Sequence, residues 1–464
     1  MALLLGPAGV GLLGLYGSIL DLTRSVAGLG INSSGVRQIA EAVGTANTQR
    51  VARTVTTLRR VALFLGAFGA VLLVVFCKPV SRLSFGDDRH ASSVALLALA
   101  VLFGAVSAGQ GALVQGMRRI SDLARMSVLG ALYGTLISVP IIYVYGERGV
   151  VPSLVCGAGM GIVTSWWYSR RIKVERVSMT LAQIAQEVSA LLKLGVVFMA
   201  GGLMMMGVAY LVRIIVLRKI GAEAAGFYQA AWALGGLYVG FILQAMGADF
   251  YPRLTTIASD NSECNRLVNE QAEVSLLLAG PGLVATLTFA PLVIQLFYSA
   301  RFEPAVEILR WNCLGMMLRV ASWPMGFILL AKGERSLFFW SELVFNAVHA
   351  GLVWVCVLAF GLTGTGIAFF GLYIYYWLAI YAIVRHLSGF RWSAANRRMG
   401  FLFIPLVASV FGGWYVLPRV AAVLLGVTAT FLAGLYSLKT LCTLVPLERF
   451  PQPARRVLVF LRFA

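Results

Sequence analysis

The sequence predicts an all-α polytopic membrane protein, and three observations support this prediction. Of its 464 residues, 59% are hydrophobic and only 12% are charged, and the mean hydropathy of +0.84 lies far outside the range of soluble domains. Apolar runs of the roughly 17 to 25 residues that a helix needs to cross a bilayer recur from one end of the chain to the other. These runs are continuous rather than alternating, which favours helices over a membrane β-barrel, because a helix satisfies its own backbone hydrogen bonds in lipid.

Thirteen such runs are predicted to be transmembrane helices, because each stays apolar over about the length of one crossing. The segments between them are too short for a soluble domain. In chain order, the runs cover residues 8–30, 61–77, 93–116, 126–145, 149–168, 194–217, 226–248, 275–298, 312–331, 337–360, 364–384, 400–417 and 420–438.

The basic residues predict the orientation of these helices. A net charge of +19 is common among nucleic-acid-binding proteins, but here the charges do not form one patch. The loops that alternate along the chain differ sharply, since one set holds 25 Lys and Arg residues and the complementary set holds 9. By the positive-inside rule the richer set, which includes the C-terminus, is cytoplasmic. That set comprises 31–60, 117–125, 169–189, 250–273, 332–336, 385–399 and 439–464.

The residues that usually bind metals or form disulfides are dispersed. The six cysteines lack CxxC spacing, and five of them lie in or beside apolar spans, where cysteine acts as a small hydrophobic residue. The three histidines are equally far apart in the sequence. We therefore expect no disulfide framework, no metal site and no cofactor.

Two segments resemble each other and indicate an internal repeat. LGPAGVGLLGLY (5–16) is echoed by IGAEAAGFYQAA (220–231), with Gly6 aligned to Gly221 and Gly11 to Gly226. A complete span precedes the second copy, whereas only a few residues precede the first. We therefore expect the native or ancestral gene product to start one helix earlier, so that the first helix is missing here. The predicted topology agrees, because it places an uncharged N-terminus without a signal peptide outside the cytoplasm.

The repeat predicts the organisation of the chain. It relates helices six apart, so both copies point the same way through the membrane, as in transporters built from parallel repeats. We predict two six-helix lobes, 1–172 and 190–385, with a substrate path between them. Residues 173–189 join the lobes as a basic cytoplasmic linker, and their apolar spacing predicts an amphipathic helix on the membrane surface. Residues 386–464 add an extra transmembrane pair and a basic cytoplasmic tail.

Three arginines fall inside predicted spans, where a charge is costly and is usually functional. Arg319 lies about seven residues into its span, Arg24 shares a helical face with Asp21, and Arg213 lies near the outer end of its span. Guanidinium groups that face an aqueous cavity between two lobes suit an anion, phosphate above all, because Arg can bind it bidentately. Arg24, Arg213 and Arg319 are therefore the candidate substrate-binding residues.

Structural roles for the same charges stay open at this point. Asp21 and Arg24 would neutralise each other within one helix, and Arg319 would pair with a group on another helix. Arg213 fits a structural or a functional role equally well. Carboxylates inside the spans are few, which disfavours a cavity built for organic cations.

Segments spread over most of the chain, to about residue 390, carry a family resemblance. They are LGPAGVGLLGLY (5–16), GINSSGVRQIAEA (30–42), GFYQAAWALGGLYVGFILQAMGADFYPRLT (226–255), NEQAE (269–273) and LFYSARFEPAVEILRWNCLGMMLRVASWPMGFILLAKGE (296–334). Together these segments resemble the O-antigen translocases. These are Wzx-type polysaccharide flippases of the multidrug/oligosaccharidyl-lipid/polysaccharide exporter superfamily.

The resemblance implies a transporter rather than an enzyme. It implies a flippase that moves an undecaprenyl-pyrophosphate-linked oligosaccharide, an O-antigen or exopolysaccharide repeat unit, between the leaflets of the bacterial cytoplasmic (inner) membrane by alternating access. Coupling to an inward H+ or Na+ flux follows from the superfamily, and Asp21 is the candidate coupling residue. Besides the lipid-linked substrate and the bilayer, the expected partners are a polysaccharide polymerase and a chain-length regulator, with no nucleic acid.

Two other functions stay open. An O-antigen polymerase or ligase handles the same lipid-linked sugar, but such enzymes usually carry a large outward loop, and the longest outward loop here is about 78–92. A multidrug or organic-cation antiporter of the same superfamily would favour carboxylates in its cavity, whereas the spans of this chain hold mainly arginines.

Overall fold

The computed structural model of the chain describes residues 2–44, 47–172, 174 and 177–444. These residues form helices joined by short turns, and no β-strand occurs among them. They divide into two compact units, Met1–Gly226 and Phe227–Ala464, which we call unit 1 and unit 2. The predicted basic tail lies, from residue 445 onward, outside the described residues.

Unit 1 contains eight helices and the beginning of a ninth. Two of the eight are short: the second continues the first after a turn at Leu29 and Gly30, and the fourth lies in the predicted outward loop. In order they are α1 (Ala2–Gly28), α2 (Ile31–Gly44), α3 (Thr48–Val75), α4 (Cys77–Phe85), α5 (Ala91–Gly116), α6 (Ile120–Tyr145), α7 (Val150–Ser169), α8 (Leu181–Lys219) and α9 (Ala222–Thr256).

Unit 2 contains the rest of α9 and seven further helices. They are α10 (Asn261–Thr288), α11 (Ala290–Phe297), α12 (Ala305–Ala331), α13 (Arg335–Phe360), α14 (Gly364–Ser388), α15 (Ala394–Val416) and α16 (Arg419–Leu444). The axes of α10 and α11 differ by 82°. Pro291 lies in the first turn of α11 and cannot continue the helix that precedes it.

The helices have the length and the surface of membrane spans. Within the described ranges, nine helical stretches are long and apolar enough to cross a bilayer, or ten if the bent pair α10 and α11 forms one span. Two of the nine, Ile120–Ser169 and Ser336–Ser388, each contain two α-helices separated by a short 3-10 turn. Large apolar side chains such as Phe401 and Val416 are 83% exposed, and such faces are stable only when lipid covers them. The all-α polytopic membrane fold is confirmed, while the count of thirteen crossings stays a prediction.

Helix α8 changes the expected organisation of the linker. Thr180 caps the helix by accepting a hydrogen bond from the backbone N–H of Gln183, whose side chain in turn binds the backbone of Thr180. From Leu181 the helix runs without a break for 39 residues to Lys219. The end of the predicted linker is therefore continuous with the following span and does not form a separate surface helix. The compact units divide at residues 226 and 227, and the predicted lobe boundaries stay a prediction.

The two repeat segments meet within unit 1 at a close approach of their backbones. A Cβ atom on Gly11 would lie 2.5 Å from the carbonyl oxygen of Ala222, and a Cβ on Gly226 would lie 1.8 Å from the carbonyl oxygen of Pro7. In the repeat alignment Gly11 corresponds to Gly226 and Pro7 to Ala222, so the two contacts are reciprocal. The internal repeat itself stays a prediction.

The C-terminal helices are anchored to α10 in unit 2 by an asparagine network. Asn396 of α15 donates a hydrogen bond to the backbone carbonyl of Asn269 at 2.9 Å, and Asn269 donates to the carbonyl of Arg391 at 3.0 Å. The Oδ1 atom of Asn269 accepts from the backbone N–H of Ser393 at 2.8 Å. Because these amides are almost fully buried, each unpaired group would be costly, and the network fixes where α15 begins.

Candidate functional site

Arg24 places its charge beside the middle of another transmembrane helix. Its Nη2 atom donates a hydrogen bond to the carbonyl oxygen of Ala100 in α5 at 2.6 Å. The guanidinium also lies against Gly104, where a Cβ would be only 2.2 Å from Nε. Gly104 is near the centre of α5, more than about 15 Å from either end of that helix at 1.5 Å per residue. The absence of a side chain at residue 104 thus allows a cation to lie at membrane depth.

Asp21 and Arg213 lie within electrostatic range of each other in the same unit. The Asp21 carboxylate, one helical turn before Arg24, interacts with the charges of both Arg24 and Arg213. Arg213 also donates through Nη1 to the carbonyl oxygen of Ala209, one turn earlier in α8, at 3.0 Å. The Asp21 carboxylate is therefore within electrostatic range of two guanidinium groups, and the predicted roles of the three charges stay predictions.

Arg24 also lines a cavity of about 690 Å³ within unit 1. Helices α1, α2, α5, α6 and α7 form its wall. Its volume falls in the range of about 300–1,000 Å³ that is typical of ligand pockets in proteins. Its lining includes polar side chains from α2 and α5, so a charged or hydroxylated ligand would find hydrogen-bonding groups there.

Arg319 lies at the middle of α12 in unit 2, in polar and aromatic surroundings. Its guanidinium carbon is 5.9 Å from the centroid of the Tyr373 ring on α14, within the range of a cation–π interaction. The charges of Arg319 and of Glu342 on α13 both act on the hydroxyl groups of Tyr373 and Tyr376. The predicted pairing of Arg319 with another helix is thus present, and its partner is an aromatic ring. That Arg319 joins Arg24 and Arg213 in one site stays a prediction.

A further charged group, Arg310, was not among the predicted site residues. It lies before the apolar run 312–331 and was therefore predicted to be in an outward loop. Helix α12 begins at Ala305, directly after Pro304, so Arg310 is helical and only 9% exposed. Its guanidinium lies 4.1 Å from the Trp414 ring centroid and 4.0 Å from a carboxylate oxygen of Glu307. The spacing of Glu307 and Arg310, one turn apart, was the available signal.

The outward loop that follows α3 is folded around an ion pair. Arg82 of α4 donates through Nε and Nη2 to both carboxylate oxygens of Asp88, at 2.7 and 2.6 Å. These hydrogen bonds and the Arg82 charge hold the pKa of Asp88 below its ordinary value of 3.8. Beside this pair, the hydroxyl group of Tyr16 is 2.8 Å from Nδ1 of His90, and the Phe85 ring stacks on His90. The loop is therefore held in place by contacts among its own residues and with Tyr16.

No metal-binding cluster of His, Cys, Asp or Glu is found in the part of the chain that the structure describes. The coupling of transport to H+ or Na+, with Asp21 as the titrating group, stays a prediction.

Comparison with known proteins gives a consistent family assignment. The model of the family described as polysaccharide biosynthesis protein matches residues 1–307. The lipid III flippase of Escherichia coli (strain K12) is 22% identical over an alignment of 400 residues, and the match covers 81% of this chain and 90% of that protein. The lipid III flippase of Shigella flexneri shows the same identity and coverage.

Solved structures of two transporters share the fold of this chain. An inward-facing multidrug resistance MATE family transporter of the MOP superfamily superimposes with a TM-score of 0.70 at 17% identity. That match covers 83% of this chain and 92% of the transporter. The lipid II flippase MurJ, in an inward closed conformation, superimposes with a TM-score of 0.58 at 13% identity, covering 93% of this chain and 97% of MurJ.

Proposed function

Because this chain belongs to the polysaccharide biosynthesis protein family, we propose that it is a flippase for a lipid-linked oligosaccharide. Its substrate is an undecaprenyl-pyrophosphate-linked O-antigen or exopolysaccharide repeat unit. The chain moves this lipid from the inner to the outer leaflet of the bacterial cytoplasmic membrane by alternating access, with its C-terminus in the cytoplasm. A polysaccharide polymerase and a chain-length regulator are its partner proteins.

The observation that carries this proposal is the position of Arg24. Its guanidinium lies at membrane depth beside Gly104, with Asp21 one helical turn before it, and it lines a ligand-sized cavity. A pyrophosphate is the part of the substrate that lipid excludes most strongly, and guanidinium groups bind phosphate oxygens in a bidentate manner. In this proposal Arg24 and Arg213 hold the pyrophosphate while the polyprenyl tail stays in the bilayer, and Arg319 stays a predicted further contact. The similarity to proteins named lipid III flippase and lipid II flippase supports the same substrate class.

The test compares half-buried arginines with an exposed one in cells that carry the variant as their only copy. Arg24→Ala and Arg213→Ala are expected to reduce export of the surface glycan at least tenfold, while lipid-linked precursor accumulates. Arg89→Ala is the matched control, since its side chain is 89% exposed in the outward loop. Normal export by both the Arg24→Ala and the Arg213→Ala variant, at normal protein levels in the membrane, would refute the assigned site.

The two rival functions give different outcomes. The fold neighbour that transports drugs motivates a parallel assay for efflux of organic cations. Cation efflux that depends on Asp21 and survives Arg24→Ala would favour the antiporter. An O-antigen polymerase or ligase would lengthen or transfer glycan in vitro, and the folded outward loop with its α4 helix leaves little room for a catalytic domain.

A further inference from the structure

The cavity beside Arg24 is an elongated recess along α5. Its α5 lining extends from Gly104 to Gln115, which spans about 16 Å at 1.5 Å per residue. The Arg24 guanidinium lies at the Gly104 end, and Gln115 is exposed near the C-terminal end of α5. A ligand in this recess can therefore contact a cation at one end and uncharged polar groups along its length.

Uncharged hydrogen-bonding groups are spaced along this recess. Asn32 and Ser33 come from the start of α2, and Ser107 and Gln115 come from α5. The Oδ1 atom of Asn32 and the Nε atom of Arg24 are buried, and neither has a hydrogen-bond partner among the residues that the structure describes. The first is an acceptor and the second a donor, and each lacks the partner that a buried polar atom usually has.

The space exists because α5 and α7 present small residues to it, while the larger apolar side chains of Val36, Leu123 and Met126 complete the wall. Helix α5 contributes Gly104, Ala108 and Gly111, and α7 contributes Ala158 and Gly161. Their bare backbone and methyl groups form apolar patches between the polar side chains. Such a wall fits a ring that carries hydroxyl groups at its edge and C–H groups on its faces. A polyprenyl chain would leave the polar groups unpaired, which is costly.

We infer that this recess, the sugar pocket, binds a pyranose ring of the lipid-linked saccharide next to the diphosphate held by Arg24. This inference rests on the proposed function and extends it, because it assigns the recognition of the sugar to side chains of unit 1. Ala158 and its small neighbours leave the room that the ring requires.

The test measures binding of two lipids to the purified full-length chain in nanodiscs. One is a polyprenyl diphosphate that carries a single hexose, and the other is the same polyprenyl diphosphate without sugar. Ala158→Leu fills the pocket, and Val163→Leu on the same helix is the matched control, because Val163 is 52% exposed and does not line the cavity. Gln115→Leu provides a second test at an exposed position that a folded chain tolerates.

The wild type is expected to bind the hexose-bearing lipid about tenfold more tightly than the sugar-free lipid. Ala158→Leu and Gln115→Leu should remove this difference without changing the affinity for the sugar-free lipid, and Val163→Leu should behave like the wild type. If both pocket variants retain the difference, or weaken both lipids equally, the sugar pocket is refuted while the proposed function stands. If the wild type binds neither lipid, the proposed function and the sugar pocket fail together.

Discussion

Replacing Gly104 with alanine would displace the Arg24 guanidinium without removing its charge. A Cβ at residue 104 would lie 2.2 Å from Nε, 2.4 Å from Cζ and 2.5 Å from Nη2 of Arg24. Real Cβ atoms essentially never approach other heavy atoms closer than 3.0 Å, so the guanidinium must withdraw by at least about 0.8 Å. It can do so, because it is the far end of a flexible side chain. The fold should therefore survive the substitution.

The displacement weakens the 2.6 Å hydrogen bond from Arg24 to the carbonyl of Ala100. A hydrogen bond with a charged partner contributes about 1.5–3 kcal/mol, and each 1.4 kcal/mol is a tenfold change in an equilibrium. The population of chains whose Arg24 guanidinium lies in its present position should then fall by about ten- to a hundredfold. We expect Gly104→Ala to weaken binding of a polyprenyl diphosphate by about tenfold or more, measured by titration of the purified chain.

Two comparisons distinguish displacement of the Arg24 guanidinium from a general loss of folding. Gly17→Ala on α1 is the control, because a Cβ there would meet no atom within 4 Å, and its affinity should equal that of the wild type. In an Arg24→Ala background, Gly104→Ala should leave the residual affinity unchanged, because its effect acts through Arg24. Wild-type affinity of Gly104→Ala, or a further loss in the Arg24→Ala background, would refute the reasoning.

Four other outcomes are expected. Arg319→Ala should abolish glycan export with the protein still in the membrane, and Arg319→Lys should retain part of it, since lysine lacks the planar fork; normal export by the alanine variant removes Arg319 from the site. Asp21→Asn should make transport independent of the proton gradient, and an unchanged dependence would exclude Asp21 as the coupling group. Gly226→Ala should lower the melting temperature by several degrees, because overpacking costs about 1–3 kcal/mol, and an unchanged value contradicts the close contact with Pro7. The lowered pKa of Asp88 stabilises the folded chain at pH values above the ordinary pKa of 3.8, and this contribution is lost as the pH falls through the folded-state pKa. Asp88→Asn should therefore lower the melting temperature at neutral pH and have no effect on it in acid.

Much of the helical architecture could be predicted from the sequence, because a helix that crosses lipid needs apolar side chains along its whole length. The chain belongs to the polysaccharide biosynthesis protein family and shares the fold of a MOP superfamily transporter, in agreement with the resemblance seen in the sequence. The bend after Thr288 was missed, since the run 275–298 is uniformly apolar and hydropathy does not register a change of direction. Pro291 was the local signal, but proline occurs in many straight spans.

The candidate site was less predictable, because its contacts are distant in sequence. Arg24 and Asp21 stand out as charges in an apolar run, yet the residue that admits the guanidinium is Gly104, 80 positions later, and a glycine in an apolar helix has no distinguishing pattern. Arg310 was missed for a different reason. Charge counting treats every arginine outside an apolar run as a loop residue, whereas α12 begins two turns before the run does.

The unbroken course of α8 has a mechanical consequence. At 1.5 Å per residue its 39 residues measure about 58 Å, nearly twice the thickness of about 30 Å of a bilayer's hydrocarbon core. This continuous backbone joins the capped end near Thr180 to Arg213 near the opposite end, so a displacement of one end is coupled to the other. A lipid surface or a neighbouring protein that binds the exposed part of α8 would therefore shift the position of the Arg213 charge without contacting it.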